Sequence, residues 1–519
     1  DSYKVNKRCV YIYEPKLGLP EKHFYRKGDT TEHKEKILLA YTNLLKNLGA
    51  AMNVDNLERM ASLEVDIVKH LSPENDRENI AFTYRPQSLK ELEEQYSAIP
   101  WHTMMEAWGV PSSMVGHVTY IVTNRGFTEE LNRLFRTYPM ETWATWMRAQ
   151  VFLQFMKYLP PPFDTMYFQL FGAELQGVQQ KMPKNHLMLN ILKEHCPQSL
   201  GHEYVKRAVS NQLKPAAIHL VKRIQGATLK RIAKLDWMTA PTKQKAAEKC
   251  KAMLFQVAFP KEWHLELPKT TIDENRMLRN IWNLSTLDTD MMMKQLRSYK
   301  INEEENWEDG VFEVNAYYYS DKNMMVVPAG ILQSPFYDLK KSDAWNLGGI
   351  GAAIGHEITH GFDDDGRMYD KSGVMKNWWS DTDLEKYIAV TKDLVKLFNK
   401  ETYMGGKVNG QLTLSENIAD LGGVAIALEA LEETFTENTA HDIGKRKKAL
   451  QEFFTSYAVS WRNKDRPKKA RQSLILDRHA PAPIRVNLIV RQFAEFYEAF
   501  DITEKDPGYI PVDQRIQLW

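Results

Sequence analysis

Three cysteines in 519 residues, Cys9, Cys196 and Cys250, are too few and too widely spaced to form a disulfide framework. Their scarcity favours a reducing compartment or a bacterial-type, cytoplasmic or otherwise soluble protein, and leaves a secreted or anchored ectodomain open. No run approaches the roughly 18 apolar residues of a membrane-spanning helix, and no charged-then-apolar leader opens the chain. Charge of one sign is not in excess either: 68 Lys and Arg stand against 67 Asp and Glu, a formal net charge of +1. Nothing in that balance points to nucleic acid or to an anionic membrane. The basic runs Lys445-Arg446-Lys447-Lys448 and Lys468-Lys469-Ala470-Arg471 are flanked by acidic residues and read as solvated faces. Internal repeats and low-complexity segments are missing. What is there is an ordinary folded composition, 43% apolar and 11% aromatic, in a chain long enough for two or more domains.

Most of residues 30–235 reads as helix. Ile218, Val221, Ile224, Thr228 or Leu229, and Ile232 recur at helical spacing with Lys and Arg between them, which makes one apolar stripe. Thr239 ahead of Pro241 reads as an N-cap and first turn, opening a helix to about residue 254. Pro160, Pro161, Pro162 and Pro197 break this half into separate helices. Strand character is concentrated near the middle. Residues 311–319 are rich in β-branched and aromatic side chains, and Met324-Met325-Val326-Val327 follows after a polar turn, so the two runs read as a hairpin. After Pro335 the pattern is helical again, with a helix beginning near Leu347.

On that helix lies His356-Glu357-Ile358-Thr359-His360. Positions i and i+4 project from one helix face, so both imidazoles can grip one Zn²⁺, and Glu357 can reach a water on the metal without being a ligand. A catalytic zinc takes a third protein ligand, a carboxylate or histidine elsewhere in the chain. Glu416 and Asp420 are four residues apart and share a helix face. Glu416 can thus bind the metal while Asp420 accepts the other N–H of a liganding imidazole. Acidic pairs at this spacing usually decorate a surface, and the weight of this one comes from its company.

That company is Val314-Asn315-Ala316-Tyr317-Tyr318, Val327-Pro328-Ala329-Gly330-Ile331-Leu332, the stretch from Gly355 through His360 to Asp364, and Glu416-Asn417-Ile418-Ala419-Asp420. In this order they resemble the signature blocks of the neprilysin family of zinc metallopeptidases. Asp477-Arg478-His479-Ala480-Pro481, Ile484-Arg485-Val486-Asn487, the final Trp519 and the early Pro15-Lys16-Leu17-Gly18-Leu19-Pro20 fit the same pattern. The resemblance covers essentially the whole chain and is closer to bacterial or intracellular oligoendopeptidases than to the disulfide-rich vertebrate members. It begins well inside the family's extracellular part, so the family's N-terminal portion is expected to be missing. The implied fold is mainly α with a small β-sheet. A thermolysin-like zinc catalytic domain at 236–519 and an N-terminal helical lid domain at 1–235 are expected to enclose a central cavity.

The resemblance also implies roles. One Zn²⁺ per chain is held by His356, His360 and Glu416, with Glu357 as general base. Asp420 orients one zinc histidine, and Asp363 and Asp364 either serve the other or cap the loop after the helix. His479, by itself an unremarkable loop histidine, becomes the donor to the oxyanion of the tetrahedral intermediate. Arg485 holds a substrate carbonyl or, on its bland reading, forms a structural ion pair. Asn315 and Ala316, on an edge strand, pair with an extended peptide through its backbone. The function expected is zinc-dependent hydrolysis of internal bonds in short peptides, with a large apolar residue favoured after the scissile bond. The rival is a catalytically impaired, zinc-containing binding or receptor-like protein of the same fold.

Overall fold

A computed structural model describes residues 9–20, 22–25, 32–55, 57–69, 71, 84–297, 307–435 and 442–519. Helices dominate, and the strands form three small sheets among the described residues. No described helix is long and apolar enough to cross a membrane. The chain divides into two units, one built from Asn6–Ile191 with Leu267–Lys300, the other from Leu192–Glu266 with Ile301–Trp519. These bounds differ from a division after residue 235. Helix Leu213–Lys234 belongs to the second unit and helix Met277–Arg297 to the first. Periodicity reveals that a helix has an apolar stripe but not which core receives it.

In the first unit, helices Glu32–Met52, Met60–Val68, Arg125–Thr137 and Met140–Phe155 pack Ile37, Tyr41, Leu63, Leu134 and Trp143 into one core. Within it Glu64 is fully buried. Its Oε1 accepts from Gly18 N (3.0 Å), Trp146 Nε1 (3.0 Å) and Gln150 Nε2 (2.5 Å), and its Oε2 from Tyr25 Oη (2.8 Å). Four donors onto one carboxylate offset the loss of water that burial imposes. The segment around Gly18 is thereby tied to the helices.

In the second unit the expected stripe is present: Val221, Ile224, Thr228 and Ile232 are buried, with Ile218 and Leu229 half-buried beside them. Helix Ala240–Ala252 starts after Thr239, with Pro241 in its first turn, although the Thr239 hydroxyl donates to Asp383 Oδ2 (2.6 Å) instead of capping its own helix. A three-stranded sheet has Met324–Pro328 at its centre, parallel to Leu254–Ala258 and antiparallel to Tyr317–Tyr319. The central strand is buried on both faces, which explains why it reads as a continuous apolar run instead of an alternation. The hairpin is therefore present, but its first strand is shorter than expected. Over residues 311–316 the chain turns: Glu313 N bonds Gly310 O, and Val311 O accepts from Gly330 N (2.9 Å). At Gly330 the backbone of Phe312 and Glu313 crosses so closely that a Cβ would have no room. Asn315 and Ala316 accordingly precede the edge strand instead of lying within it.

Beyond Pro335, Ser342 Oγ accepts from Trp345 N (3.1 Å) to cap a first helical turn. The chain widens to a π-turn over Leu347–Gly351 and continues as the α-helix Ala352–Thr359. Helix Leu414–Glu432, almost wholly buried from Asn417 to Leu428, crosses it. The crossing is made by glycines. A Cβ on Gly355 would come within 2.8 Å of Gly423 O, and one on Gly423 within 2.5 Å of Ala352 O and 2.8 Å of His356 N. Side chains at either position would separate the two backbones.

Candidate metal centre and substrate cleft

His356 sits near the end of helix Ala352–Thr359 and His360 is its C-cap, so the two rings meet edge to face, 4.6 Å between centroids. Glu416 lies in the first turn of helix Leu414–Glu432. The glycine crossing brings its Oε2 to 3.2 Å from His356 Nε2 and its Oε1 to 3.7 Å from His360 Nε2, while the two Nε2 atoms are 3.0 Å apart. One ligand atom from each of the three residues falls within 4.8 Å of the others. Tetrahedral zinc with bonds near 2.0–2.1 Å separates its ligand atoms by roughly 3.3 Å. The observed spacings bracket that value.

What holds the ligands decides what they can bind. His356 Nδ1 is 2.9 Å from Asp420 Oδ1, and His360 Nδ1 is 2.7 Å from Asp363 Oδ2. Each Nδ1–H thus donates to a carboxylate, and both Nε2 lone pairs turn inward toward one another and toward Glu416. With both rings neutral the lone pairs face each other at hydrogen-bond distance, and the buried Glu416 Oε2 has no properly aligned hydrogen-bond donor. The surroundings therefore demand a cation. Burial by itself depresses an imidazole, yet Glu416 and Asp363 more than offset it at His360 and push it up to about 10. The donor set, two imidazoles and a carboxylate, is that of a catalytic zinc.

Of the two carboxylates expected near His360, Asp363 is the one on its Nδ1 and Asp364 is not. Asp363 Oδ1 also accepts from Asp365 N (3.0 Å) and Gly366 N (2.6 Å), which turns its side chain back onto the helix end. Asp364 points elsewhere and accepts from Ser415 Oγ (2.7 Å). The loop is held from below by Lys249, which donates to Gly366 O (2.8 Å) and Tyr369 O (2.7 Å). Sequence reasoning overlooked Lys249, because a lysine in a Lys-rich helix carries no signal of burial. The crossing glycines, likewise overlooked, had a readable signal: Gly422 and Gly423 interrupt an apolar helix.

The ligands open onto a cavity of about 570 Å³ lined by Asn315, Ala316, Ile331, Phe336, Ala353 and Trp461, among others. Glu357 is buried at its edge and makes no hydrogen bond among the described residues, and burial raises its carboxyl. His479 stands opposite, half exposed, with Nε2 3.1 Å from Glu416 Oε2 and Nδ1 2.8 Å from Asp477 Oδ1. Burial lowers it, but Asp477 and Glu416 outweigh that and push it up to about 9. Arg485 is an ion pair first: its Nε and Nη2 donate to Asp420 at 2.6 and 2.7 Å, and its guanidinium stacks 3.9 Å over Trp461. Nη1 alone has no partner among the described residues. The arrangement brings His356, Glu357, His360, Glu416, His479 and Arg485, with Asn315 and Ala316, to one cleft.

Residues 1–260 and 315–516 match the two sequence models of Peptidase family M13. The chain belongs to that family. Among its M13 relatives, human endothelin-converting enzyme-like 1 is 28% identical over 98% of this chain, which spans 66% of the relative's length. The neutral endopeptidase of Lactobacillus helveticus is 27% identical over 97% of this chain and 76% of its own. In structure, the chain is similar to the Mycobacterium tuberculosis zinc metalloprotease ZMP1, solved with an inhibitor, at a TM-score of 0.91 and 28% identity. That match covers all of this chain and 79% of the other. PepO of Lactobacillus rhamnosis gives a TM-score of 0.89 at 27% identity, over all of this chain and 80% of its own.

Proposed function

We propose that this M13 chain is a zinc-dependent endopeptidase that hydrolyses internal bonds of short peptides. The observation that carries this reading is the inward-facing His356, His360 and Glu416 set with an unpaired, buried Glu357 one residue along the same helix. Bound zinc supplies Lewis acidity to the attacking water and to the carbonyl under attack. Glu357 takes the water's proton and returns it to the departing amine; the raised carboxyl pKa suits a base that must also act as an acid. His479, held protonated by Asp477 and Glu416, donates to the oxygen on which negative charge develops. Arg485, fixed by Asp420, offers Nη1 to a substrate carbonyl. Asn315 and Ala316 line the cleft just ahead of the edge strand Tyr317–Tyr319, where an extended peptide can pair through its backbone. Ile331, Phe336 and Trp461 form apolar walls that suit a large apolar side chain after the scissile bond.

Glu357→Gln keeps the shape and removes the base. It should retain zinc by elemental analysis yet lose about 10²- to 10⁴-fold in kcat on an unstructured fluorogenic peptide. Near-normal turnover would remove the mechanism and leave the non-catalytic binding reading. His356→Phe should lose the metal itself.

A further inference from the structure

A second cavity of about 350 Å³ adjoins the cleft and shares Phe336, Trp461, His479 and Arg485 with it. Arg462, Asn463, Asp465, Lys469 and Ala470 contribute to its lining, from a stretch (462–471) with six basic residues and one acid. Part of this stretch reads from sequence as a solvated face; Lys468 and Lys469 are exposed, and Lys469 also lines the cavity. Arg462 and Lys469 line the cavity, are exposed, and have no ionic partner among the described residues. The acids that line it are engaged: Asp477 with His479 (2.8 Å), Asp465 in long contacts with Asn463 Nδ2 (3.4 Å) and Tyr403 Oη (3.5 Å). Two unpaired cations, with Ser473 in the same lining, make a surface that fits a carboxylate, for which a guanidinium fork is the matched partner.

We propose that this cavity receives a carboxylate of the peptide substrate, an Asp or Glu side chain or the C-terminal carboxylate, a short way from the bond that is cut. The inference rests on the peptidase reading and adds a preference for anionic peptides to it. Arg462 and Lys469 act as specificity residues and take no part in the chemistry.

The test uses the zinc-loaded full chain and a quenched-fluorescent peptide with a single cleavage site, prepared neutral and amidated, with a free C-terminus, and with Glu at successive positions beside the cut bond. The expected result is a KM lower by about fivefold for at least one anionic peptide, with kcat little changed. The advantage shrinks as salt rises. In the Arg462→Ala/Lys469→Ala double variant it disappears while the neutral peptide is cleaved as before. If only the free C-terminus matters, the carboxylate is the terminal one; if only Glu matters, it is a side chain. Equal KM for all peptides, or a preference that survives in the double variant, overturns the proposal. Should the wild-type chain cleave nothing, the peptidase reading fails. Binding of the same peptides to Glu357→Gln, followed by fluorescence anisotropy, then judges the cavity: tighter binding of the anionic forms supports it and equal binding overturns it.

Discussion

Asp477 and Glu416 act on one imidazole from opposite sides, and the state of His479 follows from their sum. The folded value is raised from 6.5 to about 9, so the imidazolium persists through neutral pH and is lost as pH climbs through the raised value. A donor to the oxyanion must be protonated, and kcat/KM should therefore fall on an alkaline limb between 6.5 and about 9. A cation on Glu416 cancels part of that residue's field and leaves Asp477 with more of the shift. In Asp477→Asn the limb should move to lower pH, which a pH–rate profile reads directly; an unmoved limb would remove His479 from the chemistry. At this scale much of the site was legible. Spacing suggests His356, Glu357 and His360, whereas Glu416 and Asp420 stand out only through the family resemblance of the surrounding blocks. The choice between Asp363 and Asp364 was not legible, because it depends on which carboxylate accepts the amides of Asp365 and Gly366. Arg485 forms the ion pair with Asp420 that its bland reading expects, and it also lines the cleft.

Two helices make the metal centre only as closely as their glycines allow. In an exposed helix, Gly→Ala stabilises by about 1 kcal/mol. At Gly423 the sign should invert, because the new methyl would press on Ala352 O and His356 N. Overpacking of this kind costs about 1–3 kcal/mol and moves backbone. Gly423→Ala should therefore weaken zinc binding measured by competition with a chelator, and lower the denaturation midpoint, although it touches no ligand. Wild-type zinc affinity in that variant would show that the crossing is not what sets the ligand spacing. Elements were legible where the pattern is local. The zinc helix, the Leu213–Lys234 stripe and the hairpin follow from period and turn chemistry. The early end of the first hairpin strand is not local: it comes from Val311 bonding Gly330, nineteen positions on.

Across the whole chain, a cation held by His356, His360 and Glu416 would contribute to stability only while bound. Without it, the buried Glu416 Oε2 has no hydrogen-bond partner among the described residues, and the two Nε2 atoms can satisfy each other only if one ring carries a proton there. A ligand at a thousandfold excess over its Kd adds about 4 kcal/mol to the folded state. Stripping zinc with a chelator should thus lower the thermal midpoint, and restoring zinc should return it. An unchanged midpoint would mean that the site is not formed around a cation. The two-unit division was the least legible feature, since both units are helix-rich and no composition shift marks Leu192 or Leu267.

Ligand separation along the chain also orders assembly. His356 and His360 become a chelating pair as soon as one helical turn forms, whereas Glu416 arrives only when a buried helix docks sixty positions later. A nascent chain can thus pick up its ion loosely, through nitrogen alone, before the fold clamps it. Zinc present from the start of refolding should speed recovery of the native state relative to zinc added at the end, and identical time courses would show that capture waits for the finished cradle.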